Sequence, residues 1–491
     1  MSRGRIALGA VLALIGAGLI VNSQTLAFAW DEGFHLLAAQ LIAHGRRPYL
    51  DFCFAQSPLN AFWNAGLMKL LGESWRVVHF FAAIETAAAV ALVAQFLWSG
   101  WRELHWRAAV AITAALLCGL NTEVLRYGGV GQAYGLCLLL IVAAFRLAIF
   151  AAGRGGIGGA LAAGLCAGAA AGSSLLTAPV APVIALWMLF ANRRGDRWKK
   201  FAAVTGGVAI AWSPVMWLAA KSPGPVFFDI FQYHLFYRRS EWPGATQHDF
   251  EIFRGWILAP QAIVLSLFAL AGIWWIARRS EWEPEHRHAF YLCGCLGVTL
   301  AAFVSTAHPT FARYYLLATP FLAILAAVGL YGIASRTGAA DRPLSPVLAI
   351  AVVMLASLGV SVRGWLGEFH WSDIEPAARQ IAEVSPPNAL IYADEHVYFL
   401  LRRPPPPGNE YLSSHKLRLP EDLARRVHIV PQPEWDQRIV DGEFAAIETC
   451  DGEDWIADRE LTQLYSQRAT LGDCSVFWNL PAASSVVQRE R

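Results

Sequence analysis

Long apolar runs, seldom interrupted by charge, alternate with short polar stretches over the first three quarters of the chain. A helix that crosses a bilayer needs roughly 20 mostly apolar residues, and about eleven segments meet or approach that requirement. They cover residues 6–29, 77–98, 108–120, 130–150, 157–172, 175–191, 201–220, 255–277, 289–306, 314–334 and 344–362, the third and fifth being short. Pro179 and Pro182 predict a kink in the sixth. Arg3 and Arg5 precede the first segment as in a signal peptide, but no small-residue cleavage pattern leads into a soluble domain, so it reads as a retained helix. After residue 363 the pattern changes. Strand-like runs at 389–393, 427–430, 444–449 and 475–478 alternate with helical periodicity, and Pro404 to Pro407 form a break. The prediction is an all-α polytopic membrane domain over 1–363 and a small α/β domain over 364–491, without internal repeats.

Composition agrees with lipid as the main solvent. Of 491 residues, 56% are hydrophobic and 15% charged, where a soluble protein carries about 25% charge. The net charge of +2 is uninformative, and no basic stripe points to nucleic acid as a partner. Twenty tryptophans suit a protein with long membrane–water boundaries. Cytoplasmic loops carry an excess of Lys and Arg. Arg193, Arg194, Arg197, Lys199 and Lys200, then Arg278, Arg279 and Arg287, then Arg336 and Arg342 fall in alternate loops. That bias, modest because the opposite loops also hold basic residues, puts the N-terminus inside. Segments 30–76 and 221–254 and everything after Arg363 then lie outside. Cys118, Cys137, Cys166, Cys293 and Cys295 read as small apolar fillers. Cys450 and Cys474 fall in the exported part, where thiols or a disulfide are both open.

The most informative stretch is 30–72, the first outer loop. Asp31 and Glu32 stand where the first span ends. Phe34, Leu37, Ala38, Leu41 and Ile42 then recur with helical spacing, with Asp31 as N-cap and Gly45 as stop, and Glu32 and His35 share a face. Ser57 caps a second short helix with Pro58 in its first turn, and Gly72 ends it. Both are too short to cross and are expected on the membrane surface. Asp31, Glu32, His35, Tyr49 and Asp51 thus meet one interface. From the residues alone, the acidic pair reads equally as a cap with a solvated acid or as a base within reach of a substrate proton.

The run Trp30-Asp31-Glu32-Gly33-Phe34-His35, then Pro48-Tyr49-Leu50-Asp51, Ser57-Pro58-Leu59 and Leu70-Leu71-Gly72, resembles the start of GT-C glycosyltransferases. The pattern is similar to the protein O-mannosyltransferase and bacterial lipid A aminoarabinose transferase types. Arg313-Tyr314-Tyr315-Leu316-Leu317 followed by Pro320 resembles their late Arg-Tyr–Pro motif. The chain departs from the aminoarabinose type at Gln56-Ser57-Pro58, where that type has Lys-Pro-Pro.

The resemblance implies a polyprenyl-phosphate-linked sugar donor, an extracytoplasmic lipid, glycan or protein acceptor, an inverting displacement and a bacterial inner-membrane setting. It makes Asp31 the catalytic carboxylate and Glu32 a second acid that positions acceptor or a divalent metal ion. Arg313, with Tyr314, would bind the donor phosphate in two-point fashion; anchoring of a helix end is its competing role. Arg126 offers the same two roles. His35, Tyr49, Asp51, His234 and Arg238, the last two beside Tyr237 and Arg239 in a long aromatic outer loop, are acceptor or positioning candidates. Glu85, alone within an apolar span, reads either as a functional intramembrane acid or as one that pairs with another helix, and ranks low as a site. A polytopic transporter and a non-catalytic assembly subunit of the same fold are the rival functions. The transporter would show repeats and broken helices at mid-membrane.

Overall fold

The computed structural model describes residues 3–101, 105–191, 196–238, 244–278 and 284–479. Arg193, Arg194, Arg239 and Arg279 lie outside them. The chain divides into two compact units, each assembled from separate stretches.

The first unit, Met1–Ala27, Val78–Met216 and Trp242–Glu368, is helical. An apolar helix coincides with each segment expected from the hydropathy pattern, among them Arg3–Thr25, Trp75–Gly100, Arg107–Gly119, Tyr134–Phe150 and Gly156–Ser173. Among the described residues, 6 helices are long and apolar enough to cross a membrane, or up to 7 if the bent pair Arg197–Ala211 and Ser213–Lys221 is one span. Arg107–Gly119, Leu175–Ala191 and Thr319–Ala334 are apolar but shorter. The chain is an integral membrane protein. Its exposed Leu14, Phe190, Leu267, Val352 and Val360 are what a lipid-facing surface requires.

Small residues decide how closely these helices approach. A Cβ at Gly329 would lie 1.9 Å from the Phe268 carbonyl oxygen, and one at Gly272 would lie 2.1 Å from that of Leu325. The helices Pro260–Ala277 and Thr319–Ala334 therefore touch backbone to backbone. In lipid, where burial of apolar surface gives no drive between helices, such contacts supply the attraction.

The second unit joins Phe28–Val77, Trp217–Glu241 and Phe369–Arg491. Residues 28–77 and the C-terminal segment therefore belong to one compact unit. Its four-stranded sheet comprises β1 (Ile391–Tyr392), β2 (Ala446–Thr449), β3 (Gln467–Leu471) and β4 (Cys474–Trp478), in the order β1-β2-β4-β3. β1 pairs parallel to β2, and the other pairs are antiparallel. Trp435, Phe444, Ile447 and Phe477 form its apolar core. Thr449 pairs with Ser475, which sets Cys450 opposite Cys474, and the two form a disulfide. Residues 427–430, expected as a strand, instead close the Glu421–Arg426 helix. Val427 and Ile429 donate back to its Leu423 and Ala424 carbonyls, and His428 takes a left-handed conformation (φ 58°). β3 has an exposed, polar sequence that gave no strand signal.

In the same unit the helix Glu32–Ala43 packs against Leu59–Leu71 and Glu395–Leu401. Its residues Glu32 through Leu41 are all buried. It is an internal helix, not one that rests a single face on lipid, because protein covers its other sides. Gly45 (φ 92°) and Gly72 (φ 99°) end the two helices as expected. The caps differ from expectation. Asp31 makes no side-chain cap bond, the second helix is capped by Pro58, and Ser57 Oγ has no hydrogen-bond partner. The stretch after Lys221 is helical over Pro223–Phe227, Phe228–Tyr237 and Ala245–Leu258.

Candidate active site

Asp31 stands on a turn closed from both ends. The Glu32 amide donates to the Ala29 carbonyl at 2.9 Å, and the Ala29 amide donates to Glu32 Oε1 at 3.2 Å. Trp30 and Asp31 occupy the tip, with Asp31 at φ −69° and ψ −7°. Glu32 is 0% exposed, Asp31 is half-buried and Trp30 is exposed. A second donor reaches Glu32 from the C-terminal segment: the Trp371 indole N–H donates to Oε1 at 2.9 Å. His396 stacks on Phe28 with centroids 5.2 Å apart and meets Trp371 edge-on at 5.2 Å. A Cβ on Gly33 would come within 2.6 Å of the His396 ring, so only glycine lets the two helices pass there.

Other groups of the unit lie in the field of Asp31. The Tyr233 and Tyr411 hydroxyls are 3.0 Å apart. Burial pushes Tyr233 up to about 12 and raises Tyr411 as well, with Arg238 opposing and Asp31 adding to both. Glu395 Oε1 accepts the Leu412 amide at 2.8 Å. Burial, then the charges of Asp394 and Asp31, push its carboxyl up to about 8. Burial holds the His396 imidazole down at about 4 against the pull of Glu32 and Asp31.

The helix Phe228–Tyr237 is tied to the first loop. Asp229, fully buried, accepts the Phe54 amide at 3.2 Å and the Cys53 thiol at 3.4 Å. Burial pushes its carboxyl up to about 7, against these two hydrogen bonds. His234 Nε2 meets the Ala55 carbonyl at 2.8 Å, and burial with the nearby Arg238 charge holds its imidazole down at about 4.

Three of the sequence candidates have local partners. The Asp51 carboxylate takes Arg47 Nη2 at 2.9 Å and the Arg47 amide at 2.7 Å, and the Arg47 side chain holds its carboxyl below the usual range. Tyr49, 0% exposed at φ 68°, donates its hydroxyl to the Gln56 carbonyl. His35 lies against Phe34, with centroids 4.4 Å apart. The structure thus sets Tyr233, Tyr411, Glu395 and His396 within the electrostatic reach of Asp31, with Trp371 bonded to the neighbouring Glu32 and Arg238 acting on both tyrosines. Tyr233, Tyr411, Glu395, His396 and Trp371 carry no local sequence signal. They are distant in the chain, and only the fold gathers them.

In the first unit, Arg313 and Arg126 converge on one tyrosine. Their guanidinium carbons lie 5.9 and 5.1 Å from the centre of the Tyr127 ring. Arg313 Nε also donates to the Tyr134 hydroxyl at 3.2 Å and lies over Phe311 at 4.3 Å. Arg126 pairs with Glu368. Burial raises the Glu123 carboxyl, and the charges of Arg126 and Arg313 oppose that. The approach to Arg313 is braced: Asp249 pairs with His308 and accepts the Thr310 amide at 2.6 Å, and Trp256 stacks on Tyr315 at 4.1 Å. Tyr314 is buried.

For a metal, the described residues offer one group of three ligand-type residues, Glu448, Cys450 and Cys474. Both sulfurs are committed to the disulfide, so the donor set does not fit an ion while that bond stands.

The most telling comparison is with ArnT from Cupriavidus metallidurans. Its structure bound to undecaprenyl phosphate superposes with a TM-score of 0.67 at 15% identity, over 97% of this chain and 98% of that one. The apo state gives 0.68 at 16% identity and the same coverage. The chain has the GT-C fold. A second GT-C structure is similar over a smaller share of its own length. It is the archaeal oligosaccharyltransferase AglB from Archaeoglobus fulgidus, in complex with an inhibitory peptide and a dolichol-phosphate. Its TM-score is 0.55 at 13% identity, covering 90% of this chain and 69% of that one. No family model and no curated protein sequence matches the chain.

Proposed function

We propose that this protein is a membrane glycosyltransferase that moves a sugar from a polyprenyl-phosphate-linked donor to an extracytoplasmic acceptor. The supporting observation is the Asp31 turn. A carboxylate is presented at the end of the first membrane helix, in a chain with the fold of ArnT, whose structure holds undecaprenyl phosphate.

In this reading Asp31 takes the proton from an acceptor hydroxyl or amine. The freed oxygen or nitrogen attacks the anomeric carbon, the carbon–oxygen bond to phosphate breaks, and the bonding pair leaves with the polyprenyl phosphate. Configuration inverts. Arg313 and Arg126 oppose the charge that grows on the departing phosphate. Guanidinium groups suit that role because they stay ionised and bond phosphate through two parallel N–H groups. The acceptor is a lipid, glycan or protein, and the setting is a bacterial inner membrane with the second unit outside the cytoplasm. The Cys450–Cys474 disulfide supports that side, since disulfides persist in oxidising compartments.

The test is turnover by purified protein given radiolabelled polyprenyl-phosphate sugars and a membrane extract. Label is expected in an acceptor, with free polyprenyl phosphate as co-product. Solute uptake into sealed vesicles without transfer would instead establish a transporter.

A further inference from the structure

We infer that Glu32 is a positioning residue, which shapes the Asp31 turn from behind and is itself held by Trp371 of the C-terminal segment. The inference rests on the glycosyltransferase reading for its kinetic half; its geometric half stands alone.

The side chain of Glu32 turns back along its own backbone. Oε1 takes the Ala29 amide at 3.2 Å while the Glu32 amide bonds the Ala29 carbonyl at 2.9 Å. These reciprocal bonds close a loop with Asp31 at its tip, much as a capping box ties the start of a helix. The same oxygen takes the Trp371 indole N–H at 2.9 Å. Glu32 is 0% exposed, and the two N–H donors to its Oε1 both come from the chain itself.

Trp371 is well placed to hold it. The residue is 2% exposed, stacks face to face on Trp75 at 5.0 Å and 9°, and opens the helix Trp371–Val384. His370 and Asp373 fix that helix start with a capping box. On the other side, the Gly33–His396 contact keeps the backbone after the turn from shifting outward. A base must sit within about 3 Å of the proton it takes, and displacement by about 1 Å costs up to roughly 10²-fold in rate. The C-terminal segment thus takes part in presenting the base.

Hydrogen exchange on the whole protein tests the geometry without any substrate. Glu32→Ala and Trp371→Phe are expected to speed exchange in a peptide spanning residues 28–36 by tenfold or more. Unchanged exchange overturns the clamp, whatever the activity. Kinetics test the consequence. Glu32→Ala and Trp371→Phe are expected to lower kcat by about 10- to 100-fold with donor KM little changed. Glu32→Gln, whose amide oxygen accepts both N–H groups, should recover most of the loss with the wild-type pH profile. If Glu32→Gln falls as far as Asp31→Asn, the carboxylate itself touches substrate and the positioning role is wrong. If wild-type protein transfers no sugar at all, the function fails, while the exchange result still decides the clamp.

Discussion

At the scale of single residues, Asp31 and Arg313 carry the chemical reading. Asp31 makes no side-chain cap bond, so its carboxylate is not required to start the Glu32–Ala43 helix. Asp31→Asn keeps size and removes basicity. It should insert and fold as wild type while sugar transfer falls by about 10² or more. Near-normal transfer at normal protein levels would show that Asp31 is not the base. For Arg313, charge alone is not enough if the planar fork grips phosphate. Arg313→Lys should therefore lose much of the activity, and Arg313→Ala should raise donor KM more than acceptor KM. Normal donor saturation in Arg313→Ala would leave Arg313 as a helix anchor. Both candidates were legible because each falls in a short motif at a span boundary. Trp371, His396 and Tyr411 were not, since nothing local distinguishes them from ordinary core aromatics.

At the scale of elements, burial and close approach decide behaviour. The helix Phe228–Tyr237 carries Asp229 and His234 into the second unit with opposite pH consequences. Asp229 titrates near 4 when unfolded and at about 7 in the native unit. The native state keeps the proton over that window, so this contribution is complete below pH 4 and is lost as pH rises through 7. His234 titrates near 6.5 unfolded and at about 4 native, so its contribution is present above 6.5 and lost as pH falls toward 4. Above pH 6.5 the Asp229 slope is uncovered, with Glu395 adding the same sign. Asp229→Asn should flatten the decline in thermal stability just above pH 6.5, by up to about 1 kcal/mol per pH unit, an effect that fades as pH passes 7. An unchanged slope would show that Asp229 titrates as an ordinary carboxylate.

The membrane helices give a second test at this scale. Gly329→Ala places a methyl group against the Phe268 carbonyl and should lower the thermal midpoint in detergent by an amount matching about 1–3 kcal/mol. Gly359→Ala, with no atom within 4 Å of the new methyl, should be neutral or mildly stabilising, as alanine is the better helix former. Equal effects would mean that the Gly272–Gly329 contact does not hold the helices together.

At the scale of the molecule, the modest Lys/Arg bias predicts an orientation that fusion can check. A reporter active only outside the cytoplasm should work when joined after Arg363 and fail when joined after Arg197. The reverse pattern would put the Asp31 turn on the cytoplasmic side. Wild-type protein run without reductant should also show the Cys450–Cys474 bond if the second unit folds outside.

The sequence by itself determined the membrane helices, the two short helices of the first outer loop with their glycine stops, and the acidic pair at the end of the first span. Those features are local: an apolar run fills a helix long enough for lipid, and Gly45 and Gly72 supply backbone angles that other residues avoid. Tertiary structure decided the rest. The 427–430 run became a helix end because neighbouring carbonyls took its amides, and the polar β3 became a strand because β4 offered it a partner. The burial of Glu32 under Trp371 and the gathering of Arg126 and Arg313 around Tyr127 join residues far apart in the chain. Periodicity reports which face of an element is apolar; it carries no information about which distant element will cover that face.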